Sequence, residues 1–217
     1  MKPILIILLA AAASVPLGLW LRRNLATLSY RNAREADLPE PGPRWWIVWT
    51  SAIVFVSLAC AAAVSHNPLT YLPLVPLAAT GPWLAAVDFD VLRIPNRVLL
   101  LSASTSVVTI VGLAAAAQDW RTLIAPFVAA VVTGGVFAVV HFSTEGGVGF
   151  GDVKLAAVIG LAAGPLGVEA VWLSIAAGSL TALVWAKISR WDGPIPFGPW
   201  LLSGAWVASL ASVMEGG

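Results

Sequence analysis

Residues 153–186 read VKLAAVIGLAAGPLGVEAVWLSIAAGSLTALVWA. The run is apolar almost throughout and too long for one crossing of a bilayer, which takes roughly 20 residues. Gly164-Pro165 is the break in it, because proline cannot continue a helical hydrogen-bond ladder. The part before the break, Val153 to Ala163, is then a half-length helix. Such a helix is tolerated at membrane depth only where protein or water covers its ends. The part after it, Leu166 to Ala186, is a full span. Asp152 stands at the head of the run, in Gly147-Val148-Gly149-Phe150-Gly151-Asp152-Val153-Lys154.

The rest of the chain has the same character. It is 59% hydrophobic, only 11% charged, and its mean hydropathy is +0.88. Soluble domains carry about 25% charged residues, so this is an integral membrane protein. Further apolar runs cover Pro3 to Leu21, Trp45 to Val64, Tyr71 to Val87, Arg97 to Ala117, Leu123 to His141 and Phe197 to Val213. The expected fold is all-α: a polytopic transmembrane helix bundle of about eight membrane segments, one of them the half-helix. The first run has signal-peptide features, with Lys2 ahead of it and Ala11-Ala12-Ala13 within it. It continues through Trp20 and Leu21, long enough to span, and cleavage would strand the arginines of Arg22–Arg44 outside. A retained span is therefore expected.

Basic residues orient the bundle. With the N-terminus outside, ten of the twelve Lys and Arg fall inside, and only Lys2 and Arg121 do not. The inner segments are then Arg22–Arg44, Asp88–Arg97, His141–Asp152 and Lys187–Pro196, and both Asp88 and Asp152 face the cytoplasmic side of a cell membrane. Arg22–Arg44, the only sizeable polar stretch, reads as a solvated connector hugging the interface. His141 reads as interfacial, and Glu145 and Asp192 as solvated. A net charge of +1 gives no footing for nucleic acid. Cys60 stands alone, which excludes a disulfide within the chain. Two histidines and one cysteine do not make the usual zinc ligand set, so no metal is expected. The eleven tryptophans, Trp45, Trp46, Trp49, Trp120 and Trp191 among them, read as an aromatic belt that asks for no cofactor.

Carboxylates at membrane depth are costly and mark function. Asp88 lies in Ala85-Ala86-Val87-Asp88-Phe89-Asp90-Val91-Leu92-Arg93-Ile94-Pro95-Asn96. Two carboxyls a few ångströms apart cannot both ionise. The ionised one can activate water while the protonated one polarises a carbonyl, which is the chemistry of aspartic proteolysis. Asp90 is the competitor for Asp88. It faces nearly the opposite side of a helix and could pair with Arg93. Gly149 and Gly151 permit positive φ and close backbone approach, so an extended peptide could lie along that loop. Lys154 could neutralise local charge or bind a substrate carboxylate. The plain alternative is that Asp152 caps a helix and Asp88 is interfacial.

Three segments carry a family resemblance: Gly149-Phe150-Gly151-Asp152 continued to Lys154 (G-x-G-D-x-K), Ile94-Pro95-Asn96 behind Asp88, and Ile195-Pro196-Phe197-Gly198-Pro199-Trp200. Together, over Pro82 to Trp206, they resemble the type IV prepilin peptidases, intramembrane aspartic proteases of the G-x-G-D class. The resemblance implies removal of a short basic leader from type IV prepilins or pseudopilins at the cytoplasmic face, just before their hydrophobic helix. It makes Asp88 and Asp152 the catalytic pair and Gly149, Gly151 and Lys154 auxiliary or substrate-binding. It implies no cofactor, partners limited to the prepilin or pseudopilin and membrane lipid, and it is compatible with a homo-oligomer. Residues 1–44 are then an N-terminal helix with its connector, and 45–217 the peptidase domain. Two departures stand out. Many members read L-P-D where this chain has Ile94-Pro95-Asn96. Bifunctional members carry a cysteine-rich insert associated with N-methylation, and this chain has only Cys60, so cutting without methyl transfer is expected. Two rivals remain. One is an inactive scaffold or assembly protein of the same fold. The other is a proton-coupled carrier using the two carboxylates, which would need paired inverted repeats that the sequence does not display.

Overall fold

Proline and glycine decide where the helices begin and stop. The computed structural model describes residues 2–144, 148–190 and 193–215. Among them are eight α-helices and no strand: α1 (Lys2–Ala26), α2 (Trp46–Val64), α3 (Val75–Val91), α4 (Asn96–Ala117), α5 (Ile124–Ser143), α6 (Phe150–Ala163), α7 (Val168–Ile188) and α8 (Phe197–Glu215). Ahead of α3, Pro68–Leu74 is wound as a tighter 3-10 helix, because Pro68, Pro73 and Pro76 each lack the N–H an α-helix would use. The carbonyl of Pro73 accepts instead from Ser106 Oγ on α4, at 2.8 Å. Helix α3 runs past its expected end to Val91 and is closed by Leu92 in the left-handed region (φ 50°), whose N–H donates to Asp88 O at 2.9 Å. Asp88 therefore sits within the last turn rather than after it. The break between α6 and α7 is where proline places it, as a short 3-10 turn over Gly164–Leu166 followed by Gly167 at φ 112°.

Six of these helices are long and apolar enough to cross a membrane, counting the turns that lead into α3 and α5. The chain is thus a polytopic helical bundle. Helix α6, with 14 residues, is about 21 Å long at 1.5 Å per residue, short of a full crossing. It is nevertheless among the most buried elements, with Leu155, Ala156, Ile159, Ala162 and Ala163 fully enclosed. Helices α4, α5, α7 and α8 surround it, while α3 packs against α1, α2, α4 and α8. Leu100, Val131, Leu180 and Ile53 point outward. Lipid tails are as apolar as leucine, so the helices are held by close packing of small residues rather than by exclusion of water. A Cβ on Gly178 would lie 2.8 Å from Leu201 Cα, and one on Gly18 would lie 2.8 Å from Val48 Cα. A bulkier residue at either glycine would force α7 from α8, or α1 from α2.

The polar stretch between α1 and α2 is largely exposed, as expected from its composition, but it is not a free connector. It folds back onto the C-terminal end of α3. Tyr30 donates its hydroxyl to Asp90 Oδ2 at 2.5 Å, and Arg31 donates from Nε and Nη2 to the two Asp90 oxygens at 2.9 and 2.8 Å. Arg44 Nη2 stands 3.5 Å from Asp90 Oδ2 and donates to Tyr30 Oη at 2.9 Å. The side chains of Asp90 and Arg31 are covered by the connector, 9% and 5% exposed, at a site that lies near the surface of the protein, so this is a half-buried pair. Asp90 does not pair with Arg93 as the sequence suggested. The left-handed Leu92 turns the chain between them, and Arg93 is left to Glu35 (3.0 Å) and the carbonyl of Tyr30 (2.9 Å). The Arg93 guanidinium holds the Glu35 carboxyl below its ordinary range. Asn32 caps the small turn that carries Glu35.

The belt reading of the tryptophans fits Trp45, Trp49 and Trp120, which are exposed near helix ends. It does not fit Trp46, Trp185 and Trp200. These pack edgewise around Phe89, each with its ring centroid 6.2 Å away, an arrangement favoured by the aromatic quadrupole. Trp191 lies outside the described residues.

Candidate active site

The C-terminal end of α3 meets the N-terminal ends of α4, α6 and α8. Ile94, 5% exposed, is the side chain they meet on. A Cβ on Gly151 would come within 3.1 Å of Ile94 Cβ, and one on Gly198 within 3.3 Å of Ile94 Cδ1. Glycine at both positions lets the head of α6 and the head of α8 close on the Ile94-Pro95 turn. The three sequence segments singled out above are thereby brought into one place.

Asp88 and Asp152 both line a cavity of about 280 Å³ there, together with Arg93, Asn96, Phe150 and Lys154. Each is almost fully buried, 4% and 6% exposed, and both border the same space. Asp88 Oδ2 accepts the backbone N–H of Gly198 at 2.9 Å. Asp152 occupies the third residue of α6, and its Oδ2 accepts the N–H of Gly149 at 3.2 Å. Asp152 Oδ1 is buried with no hydrogen-bond partner among the described residues. Helix capping thus uses one oxygen of Asp152 and leaves the other uncommitted.

The glycines work differently from the expectation. Gly149 is extended (φ −65°, ψ 145°), and neither Gly149 nor Gly151 has positive φ. What they supply is space. A Cβ on Gly149 would lie 3.1 Å from Asp152 Oδ2. Lys154 Nζ donates to Asn96 Oδ1 at 2.9 Å and stands 4.9 Å from the centroid of Phe150. Asn96 is the residue found where the resemblance expects a carboxylate. A neutral partner leaves the lysine charge unneutralised at the cavity wall.

Asp90 is turned away into the connector network and does not line the cavity. His141 Nδ1 lies 2.6 Å from the carbonyl of Val148 and tethers the segment ahead of Gly149. Glu145 and Asp192 lie outside the described residues. Among those described, no three His, Cys, Asp or Glu side chains are grouped to hold a metal ion. The contact that sequence reasoning missed is the Gly198 N–H to Asp88. Its one trace was a glycine set between Phe197 and Pro199 at the head of a span.

Comparison with known proteins agrees with this arrangement. The model of the type IV leader peptidase family matches residues 77–187, just over half of the chain. The match takes in Asp88, the Ile94-Pro95 turn and Gly149 to Lys154, and it ends before Gly198. Neither the curated proteins nor the solved structures contain a match. With the three segments assembled on one cavity and this match across them, the chain belongs to the type IV leader peptidase family.

Proposed function

We propose that the protein is an intramembrane aspartic endopeptidase that removes the basic leader of type IV prepilin-like proteins, with Asp88 and Asp152 as its catalytic pair. The observation that carries the reading is the shared cavity. Two buried carboxyls from different helices border it, each held by one backbone N–H, in a chain of a peptidase family. In this reading one carboxyl is ionised and the other protonated, since two charges this close are mutually unfavourable. The ionised member takes a proton from water as its oxygen adds to the scissile carbonyl carbon, and the protonated member gives its proton to the carbonyl oxygen. The resulting diol returns a proton to the second carboxylate as the C–N bond breaks. The departing nitrogen takes the proton held by the first. Lys154 and the backbone around Gly149 and Gly151 border the space where the substrate chain would lie.

The distribution of lysine and arginine supports an outside N-terminus and a site facing the cytoplasm. Methyl transfer is not part of the proposed activity, because the connector has no cysteine or histidine and no glycine-rich phosphate loop. One experiment tests both halves. Purified protein in lipid nanodiscs is given a prepilin and a methyl donor, and the product is read by mass spectrometry. A cut product with an unmodified amino terminus is expected, and none from inserted Asp88→Asn or Asp152→Asn. Near-normal cutting by either variant would sink the catalytic assignment, and a methylated product would sink the single-activity reading.

A further inference from the structure

Beside the carboxyl cavity lies a second hollow of about 280 Å³, between α4 and α6. Its walls are Leu99, Leu100, Ala103 and Val158, and its mouth is formed by Asn96 and Lys154. Those last two also border the carboxyl cavity, so the two hollows share a rim at the Lys154–Asn96 hydrogen bond. The positions are not scattered. Asn96, Leu99, Leu100 and Ala103 follow the i, i+3, i+4, i+7 spacing of one helix stripe, and Lys154 and Val158 stand one turn apart. Both helices start at the level of the carboxyls and lead away from them. The stripe therefore descends seven residues, about 10 Å, from the site. Leu99 and Val158 are buried at its floor, while Leu100, 69% exposed, forms an open lip.

We infer that this groove seats the apolar helix that follows the scissile bond of the substrate. The inference rests on the peptidase reading above. The carboxyl cavity and the groove share Asn96 and Lys154 in their linings, so a peptide whose carbonyl sits between Asp88 and Asp152 has a direct continuation from one hollow into the other. On the Arg93 side it would run into the polar connector, where that guanidinium pairs with Glu35, a poor surface for a membrane-inserted apolar helix. Along the groove it meets only aliphatic side chains and needs no polar partner of its own, having satisfied its backbone internally. Lys154 fits the junction. Its methylene stem can lie against the groove while its ammonium stays on the rim with Asn96. The occupant is thus a peptide with basic residues before the cut and a continuous apolar helix after it, entering sideways between α4 and α6.

Two synthetic peptides test this in nanodiscs. One carries a basic leader and a 20-residue apolar helix, roughly one span, and the other stops shortly after the scissile bond. Ala103→Trp fills the groove, and the ratio of kcat/KM for the long peptide over the short one is expected to fall about tenfold, mainly through KM. An unchanged ratio would overturn the groove. Crosslinking gives a readout that needs no cutting. In a Cys60→Ala, Asp88→Asn background, a cysteine at Ala103 should bond to one in the apolar helix of the long peptide, well above a cysteine at outward-facing Val131 on α5. Equal or weaker bonding at Ala103 would also overturn the inference. If the wild type cuts neither peptide, the peptidase reading fails by itself, and the crosslinks still decide where the apolar helix docks.

Discussion

Gly198→Ala should damage the site while leaving the fold intact. A Cβ at this position would stand 2.9 Å from Asp88 Oδ2 and 3.2 Å from its Cγ, with Ile94 Cδ1 at 3.3 Å on another side. Ordinary contact begins near 3.4 Å, so the carboxyl must retreat by about 0.5 Å or turn, and Ile94 blocks part of the room. The retreat lengthens the 2.9 Å bond from Gly198 N–H, the one hydrogen bond the Asp88 carboxyl receives among the described residues. A hydrogen bond to a charged group contributes about 1.5–3 kcal/mol, and a misplacement of about 1 Å in a reacting group can cost 100-fold. Half that displacement with a weakened bond gives an expected 10- to 100-fold fall in kcat, or about 1.4–2.7 kcal/mol of barrier. The backbone should tolerate the change. Gly198 lies in the first turn of α8 without positive φ, and alanine favours a helix by up to about 1 kcal/mol over glycine. The assay is a cleavage time course in nanodiscs beside a thermal unfolding curve. Gly81→Ala is the control, since its Cβ would make ordinary contact with the Leu202 side chain, Cδ2 at 3.4 Å and Cδ1 at 3.7 Å. Cleavage by Gly198→Ala within twofold of wild type, with an unchanged Tm, would refute the argument that this N–H sets the position of Asp88.

Asp90→Asn should do the reverse: it removes the charge that Arg31 and Arg44 share at the connector, so Tm should drop while the folded fraction still cuts. Complete loss of cleavage by folded Asp90→Asn would instead place Asp90 in the catalytic pair. Orientation is open to labelling, with Ser29→Cys beyond α1 and Asn67→Cys beyond α2, each in a Cys60→Ala background; they should react from opposite sides of the membrane, and labelling from one side alone would break the proposed topology.

The spans were legible because a bilayer imposes a length and a polarity that few other environments require. Their ends were less so. Pro73 and Pro76 turned the start of one expected span into a 3-10 helix, and α3 ran four residues beyond Val87 because Leu92 accepted a left-handed cap that no motif announced. The two carboxylates stood out as charges in apolar surroundings, and the glycines beside Asp152 stood out by spacing. The close approach expected of them is there, but the expected positive φ is not, and the atoms they clear, Ile94 and Asp152 itself, are packing partners that a string of residues does not name. The docked connector was least legible. Arg31 finds Asp90 across 59 positions and Arg93 finds Glu35 across 58, and a charge in a loop looks the same whether it meets solvent or a partner from another helix. A backbone N–H leaves even less trace, which is why the bond from Gly198 to Asp88 could not be foreseen from a matched string.

That bond also has a bearing on how the protein is made. The Asp88 carboxyl receives its hydrogen bond from a residue 110 positions later, in a helix made well after α3. At about 5–20 residues per second, roughly 5–20 s separate synthesis of the carboxyl from synthesis of its partner. Throughout that interval α3 is in the membrane without the donor that fixes its acid, so a half-made chain is expected to be inert toward the leaders of its neighbours. A chain halted before Phe197 that still cut would show that the delay protects nothing. On the proposed reading, competence would arrive only with α8, and the order of translation itself would act as the safety catch.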